Sequence, residues 1–237
     1  MAVGEEKPRQ PMRGVMVFVL DTSAVTDPRL REALGASSLD EVVRRLAELL
    51  REARTRVGIE FYTTPTMLSE MKRFLLANNV EPSSLEALES WLLVKAPDKL
   101  NVRIPAIVMA EYVEDMRRRI MKGLRVAEEA VVRAAREARR APGSARGEEE
   151  FQREVVGPII RSLRERYREA TRRGIVDSLE DFDVVILALE LRGVLVTNDE
   201  GVRKLAETLG VIVVDPLGFI RMLREYIRAF SGQTVPA

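Results

Sequence analysis

Four short apolar runs punctuate a chain that is otherwise amphipathic. They are 15-VMVFVL-20, 58-GIEFYTT-64, 194-VLVT-197 and 211-VIVVD-215, rich in Val and Ile. All four predict strands, and the continuous apolar run 15–20 predicts one buried on both faces, as in a parallel sheet. Between them the apolar positions recur every three or four residues. That spacing predicts a helix over 38–55, with Ser38 as N-cap and Glu41 three residues on. A second follows Thr64-Pro65 over 66–79, with Met67, Met71, Phe74 and Leu75 on one face. Further helices are expected over 83–95, 179–192, 199–210 and 216–230. Asp27-Pro28 opens a turn, and 97–105 reads as a loop. Strands alternating with helices give an α/β fold, a parallel sheet flanked by helices.

Two longer helical stretches interrupt this alternation, over 106–141 and 148–173. The run 142-PGSARG-147 breaks them apart, and Pro158 is expected to kink the second. They predict an inserted antiparallel helical hairpin, longer than a compact domain needs and therefore protruding. Its first helix carries an apolar stripe of Ile120, Leu124, Ala127, Val131 and Ala134 or Ala135. Tyr112, Tyr167 and Trp91 read as packing residues. The expected organisation is a disordered lead at 1–13, an α/β domain from 14–105 and 174–231, the hairpin at 106–173, and a loose tail at 232–237.

Composition narrows the chemistry. The chain has no Cys and no His. Disulfides, thiolates, histidine bases and ordinary zinc sites are excluded, and a cytoplasmic location is the default. Hydrolysis would have to rest on carboxylates, Lys, Tyr or a metal. No membrane span or signal peptide is expected. The net charge is only +1, but it is unevenly spread. From Arg117 to Arg173 there are 17 Lys/Arg against 9 Asp/Glu, and the remainder has 21 against 28. A basic segment on an acidic body points to an anionic partner.

The acids fall where a parallel sheet puts its chemistry, beyond the carboxyl ends of strands. Asp21 follows the first strand directly, and Asp199 comes two residues after 194–197. Each could equally be a helix N-cap. Glu70 lies in a helix and could simply be solvated. The stretch 177-DSLEDFD-183 holds Asp177, Glu180, Asp181 and Asp183 just before the apolar run 184-VVILALEL-191. Asp177 and Asp181 share a face if the helix reaches back that far, and Glu180 is expected to face solvent. Convergence of these acids would suit a hard cation, Mg²⁺ or Mn²⁺. Such an ion can activate water and stabilise a leaving oxygen, so phosphodiesters can be cut without a His.

The runs VFVLDTSA, TPTMLSEMKRF and DFDVVILALELRGVLVTND together resemble the PIN nuclease family. The resemblance implies a PIN-like sheet and an acidic metal site made of Asp21, Glu70, Asp181 and Asp199. Ser23 and Thr197 resemble the polar companions of the first and last acid, with Asn198 beside them. The hairpin inserted before DSLEDFD is similar to one branch, the minimal protein-only RNase P proteins. That likeness implies that Asp177 joins Asp21, Asp181 and Asp199 as an essential acid, with Asp183 a further candidate. It also implies removal of the 5′ leader from precursor tRNA, no RNA subunit, and self-assembly of the hairpins into a large homo-oligomer.

The hairpin's cations fit such a partner. Arg117, Arg118, Arg119, Lys122 and Arg125 on the first helix, and Arg164, Arg168 and Arg172 on the second, are candidate RNA contacts. Arg-rich faces neutralise phosphates without reading sequence, and A-form RNA is recognised by shape and backbone. An ordinary solvated face gives the same pattern. Two other functions remain open at this point: a toxin-like PIN ribonuclease acting on other RNA, and a non-catalytic RNA-binding assembly protein.

Overall fold

The computed structural model describes residues 15–140, 148–172, 176 and 178–231. Five parallel strands form one sheet: β1 (Val17–Leu20), β2 (Glu60–Thr63), β3 (Leu92–Val94), β4 (Val194–Val196) and β5 (Val213–Val214). Their order across the sheet is β3-β2-β1-β4-β5. The first strand is thus central, with β2 on one side and β4 on the other. The order reverses around it, so the carboxyl end of β1 is a switch point where a crevice opens.

Alternation sends neighbouring side chains to opposite faces. Phe18, Leu20, Phe61 and Val196 enter one core layer. Val19 and Leu195 enter the other. The first layer is covered by α3 (Leu39–Val57), α5 (Pro82–Glu89) and α11 (Pro216–Ser231), and also takes Met71 and Leu75 of α4 (Pro65–Ala77). At its centre Phe219 packs against Phe18 and Phe61 at ring centroid distances of 5.0 and 6.0 Å. The second layer is covered by α9 (Leu179–Leu191) and α10 (Glu200–Thr208). Among the described residues no helix is long and apolar enough to cross a membrane.

Three expectations about elements change. The helix expected over 83–95 ends at Glu89, and Leu92–Val94 forms the edge strand β3. Ser90 and Trp91 make the turn between them, and three residues are too few for periodicity to register as a strand. The turn at Asp27-Pro28 is flanked by two short helices, α1 (Ser23–Thr26) and α2 (Leu30–Leu34). The second hairpin helix is also not one piece. It comprises α7 (Glu148–Phe151), a π-helical turn (Gln152–Val156) and α8 (Gly157–Arg172). The wider turn lies just before Pro158, whose ring and missing N–H disfavour an uninterrupted α-helical ladder.

The first hairpin helix is α6 (Ala106–Arg140). Gly123 faces Tyr167 and Thr171 of α8, and Glu129 pairs with Arg166, so the two helices run antiparallel. Of the residues of α6 only Val108 and Gly123 are buried. The large members of the apolar stripe lie outside the contact between the helices. Ile120 is 62% exposed and Val131 69%, and Leu124, Tyr112 and Tyr167 are exposed too. Gly123 lets the backbones approach instead. A Cβ on Gly123 would come within 2.8 Å of the Tyr167 ring and 2.9 Å of Thr171. Gly123→Ala is therefore expected to cost roughly 1–3 kcal/mol through overpacking, read as a lower melting temperature. An unchanged melt would mean the helices do not depend on this approach.

The hairpin has two unlike flanks. Helical spacing puts Arg118, Lys122, Arg125, Arg133 and Arg136 on the opposite side of α6 from Ile120, Leu124 and Val131. Arg125, Arg133, Arg136, Arg140 and Arg166 line one shallow groove together with Glu128, Glu129 and Glu137. Arg117 lies beside the apolar flank, with Val113, Ile120 and Met121. Arg119 does not present its guanidinium to solvent. Its side chain is 13% exposed and donates to Asp115 at 2.7 Å. Arg164 and Arg168 are exposed on α8, and the side chain of Arg172 lies outside the described residues.

Candidate active site

The site is built at the carboxyl end of β1. Asp21 continues that strand, with its N–H donating to the Val196 carbonyl of β4. Only 5% of the residue is exposed. Burying a carboxyl here is tolerable because three donors converge on it. Thr22 N–H donates to Oδ1 at 2.6 Å, and the hydroxyls of Ser23 and Thr197 donate to Oδ2 at 2.8 and 2.6 Å.

Ser23 and Thr197 each serve twice. Ser23 Oγ accepts from Asn198 N–H at 2.8 Å, and Thr197 Oγ1 accepts from Asp199 N–H at 3.0 Å. The turns after β1 and β4 are thereby locked together through two hydroxyls, and Thr197 links Asp21 to Asp199. Asn198 takes part through its backbone, and the residue itself is exposed. Asp199 caps α10, with Oδ1 accepting from Val202 N–H at 2.9 Å. The capping role and a ligand role are compatible, since the cap engages one oxygen.

Asp181 comes from a third segment. Ser178 caps α9, its hydroxyl accepting from Asp181 N–H at 3.0 Å, so the helix starts at Leu179. Asp177 lies outside the described residues. The cap was legible as a Ser three residues before an acid at the head of an apolar run, a signal the acid count alone obscures. Glu70 projects from α4, whose start is held by Thr64 accepting from Met67 N–H at 3.1 Å.

These acids feel one another. Burial pushes Asp21 up from the usual carboxylate range, against its three donors, and the charge of Asp199 adds to the rise. Asp181 is pushed up to about 6, first by burial, with Asp21, Asp199 and Glu70 adding repulsion and Ser178 opposing it. Glu70 is raised by burial, then by Asp21 and Glu180. Glu180, expected to face solvent, is half-buried and belongs to this neighbourhood. Asp183 does not: it is 8% exposed and meets Lys99. Sequence spacing alone could not separate Asp181 from Asp183.

Four segments thus bring Asp21, Glu70, Asp181 and Asp199 into one acidic neighbourhood. Among the described residues no three acids are close enough to hold one cation between them. Mutual repulsion opposes a tighter cluster. The donor chemistry nonetheless fits a hard divalent cation, because Mg²⁺ keeps several waters and needs only one or two carboxylates. Asp21 is buried and Asp181 partly so, while Glu70 and Asp199 are exposed; a buried carboxylate held by directed donors beside other acids is a candidate for function rather than for stability.

The sign of the pH effect follows. An unfolded Asp181 ionises near 3.8, the folded one near 6. Between those values the folded state binds more protons, so stability falls as pH rises from about 4 to about 6, and the penalty is complete above. It is on the order of 1–3 kcal/mol. Metal-free protein in chelator is expected to melt lower at pH 8 than at pH 5, and Asp181→Asn to reduce that difference. Equal slopes in both proteins would contradict the assignment.

A profile of the PINc domain ribonuclease family matches residues 17–228. Full-length relatives carry the name RNA-free ribonuclease P. The one from Hyperthermus butylicus is 54% identical over 91% of this chain and 90% of its own. That from Staphylothermus marinus is 47% identical over 92% of this chain and 99% of its own. That from Methanosarcina mazei is 41% identical over 89% and 87%.

Proposed function

The chain belongs to the PINc domain ribonuclease family, among relatives that are RNA-free ribonucleases P, and from that premise we propose that it removes the 5′ leader of precursor tRNA with Asp21, Asp181 and Asp199 as its central acids. It is an endoribonuclease of the protein-only ribonuclease P type, and no RNA subunit is needed for the reaction. The observation that carries the site assignment is the buried Asp21 carboxylate, aimed by Ser23 and Thr197 and coupled to Asp199 and Asp181.

PIN nucleases generally use divalent metal ions, and Mg²⁺ or Mn²⁺ is the cation proposed here. Asp21, Asp181 and Asp199 would hold it, with Glu70 in support; Asp177, outside the described residues, is proposed as a further ligand. Such an ion supplies a Lewis acid for the phosphodiester and lowers the pKa of bound water. The protein's own groups do the positioning. Thr197 and Ser23 fix the Asp21 carboxylate, and the Ser178 and Asp199 caps fix the starts of α9 and α10. With no His in the chain, proton transfers fall to carboxylates and water.

The hairpin's flanks support two separate roles. The Arg groove of Arg125, Arg133, Arg136 and Arg166 suits RNA phosphates, with Arg118, Lys122, Arg164 and Arg168 adding exposed cations. The exposed stripe of Ile120, Leu124 and Val131, to which α8 adds Ile160 and Tyr167, suits self-association.

Incubation with precursor tRNA and with an unstructured RNA of equal length, each with Mg²⁺, tests the function. Cleavage confined to the precursor is expected. Degradation of the unstructured RNA with the precursor left whole would favour a toxin-like ribonuclease instead.

A further inference from the structure

Asp183 follows Asp181 by two residues, which turns it about 200° away around α9. The acids named as raising Asp21, Glu70 or Asp181 are Asp21, Glu70, Asp199 and Glu180, and none of them is Asp183. Its partner comes from elsewhere. Lys99, in the connection between β3 and α6, places Nζ 2.6 Å from Asp183 Oδ1. The contact lies outside hydrogen-bond geometry, and Oδ1 accepts no hydrogen bond.

The same connection grips α9 a second time. Lys95 pairs with Glu190, and Asp98 N–H donates to Glu190 Oε2 at 2.9 Å. Asp183 and Glu190 are seven residues apart, so they share one face of the helix. The segment that leads into the hairpin is therefore clasped along α9, and its contact nearest the acidic site is Lys99 on Asp183. The buried positions from Val184 to Ala188 that follow are all apolar. Lys99 keeps 47% of its side chain exposed and Asp183 only 11%, so the pair is half-solvated and contributes little to stability once the cost of burying the carboxylate is set against it. What a charged pair adds is direction: it favours one rotation and one register.

We propose that Lys99 is a positioning residue for the acidic site, its ammonium holding Asp183 and so setting the rotation of the α9 turn from which Asp181 projects. The inference rests on the reading of Asp181 as a working acid, and it reassigns Asp183 from candidate ligand to anchor.

The test is the double variant Lys99→Met/Asp183→Leu, assayed on precursor tRNA with a Mg²⁺ titration beside a melting curve. It is expected to melt at or above the unmodified temperature. At the same time kcat should fall about tenfold and half-saturating Mg²⁺ should rise severalfold, with KM within twofold. A purely structural pair would leave kcat and the Mg²⁺ requirement unchanged once the fold is intact, and that result overturns the proposal. Should the double variant not fold, Lys99→Gln and Lys99→Arg carry the test. Gln should lose kcat about tenfold and Arg should recover it to within threefold; equal kcat in both overturns the proposal. Unmodified protein that leaves precursor tRNA whole would instead count against the function itself, so the two failures are distinct.

Discussion

Asp21→Asn is expected to lower the rate of precursor cleavage by about a thousandfold or more, some 4 kcal/mol of transition-state stabilisation, while the metal-free protein melts at the same or a higher temperature. The two halves have one cause. The Asp21 carboxylate is buried, and its pKa is raised despite three donors. Its charge therefore costs the fold stability when no cation is present. Asparagine nearly preserves shape: its carbonyl can accept from Thr22 N–H, and its amide N–H can donate to the Ser23 and Thr197 hydroxyl oxygens, whose own protons then turn elsewhere. It removes the charge that would hold a hard cation. Parallel single-turnover assays and thermal melts in chelator check both halves. Loss of activity accompanied by a large fall in melting temperature would instead mark Asp21 as a structural residue.

With the self-association proposed above for the apolar stripe, Ile120→Glu/Leu124→Glu is expected to leave single chains. Both side chains are exposed on the flank of α6 away from the Arg groove. Substitution there costs the fold of one chain little, within roughly 0.5 kcal/mol per site. Apolar side chains recurring along a long helix and left uncovered by α8 call for a partner, and two carboxylates per chain would make that contact self-repelling. Size-exclusion chromatography with light scattering gives the mass directly, and circular dichroism checks that helix content is kept. An unmodified protein already at the mass of one chain, or a variant of unchanged mass, would refute this role for the stripe.

Much of this fold could be read from the chain because its signals are local. The apolar runs that became β1, β4 and β5 are unbroken, that of β2 is interrupted only by Glu60, the Ser38 cap is found where spacing put it, and a helix does begin at Thr64-Pro65. β3 escaped because Leu92–Val94 is short and follows a helical pattern without a strong breaker. The hairpin's inner face was not legible from the apolar stripe for a related reason. Large apolar residues attract attention, yet Gly123 makes the close approach, and Ile120 and Val131 are left outside. At the site, Asp21 and Asp199 could be grouped because strand ends converge in a parallel sheet, and Ser23 and Thr197 through the resemblance to PIN nucleases. The division of labour between Asp181 and Asp183 depends on a Lys some eighty residues earlier in the chain, a contact that no local pattern announces.

The most direct measurement is to map the cut at single-nucleotide resolution on an end-labelled precursor tRNA, with unmodified protein and with Asp21→Asn and Asp199→Asn. One cut at the mature 5′ end, dependent on divalent cation and absent from both variants, is the predicted result. Cuts scattered through the tRNA body or the leader, or a mature-end cut that survives both substitutions, would contradict it.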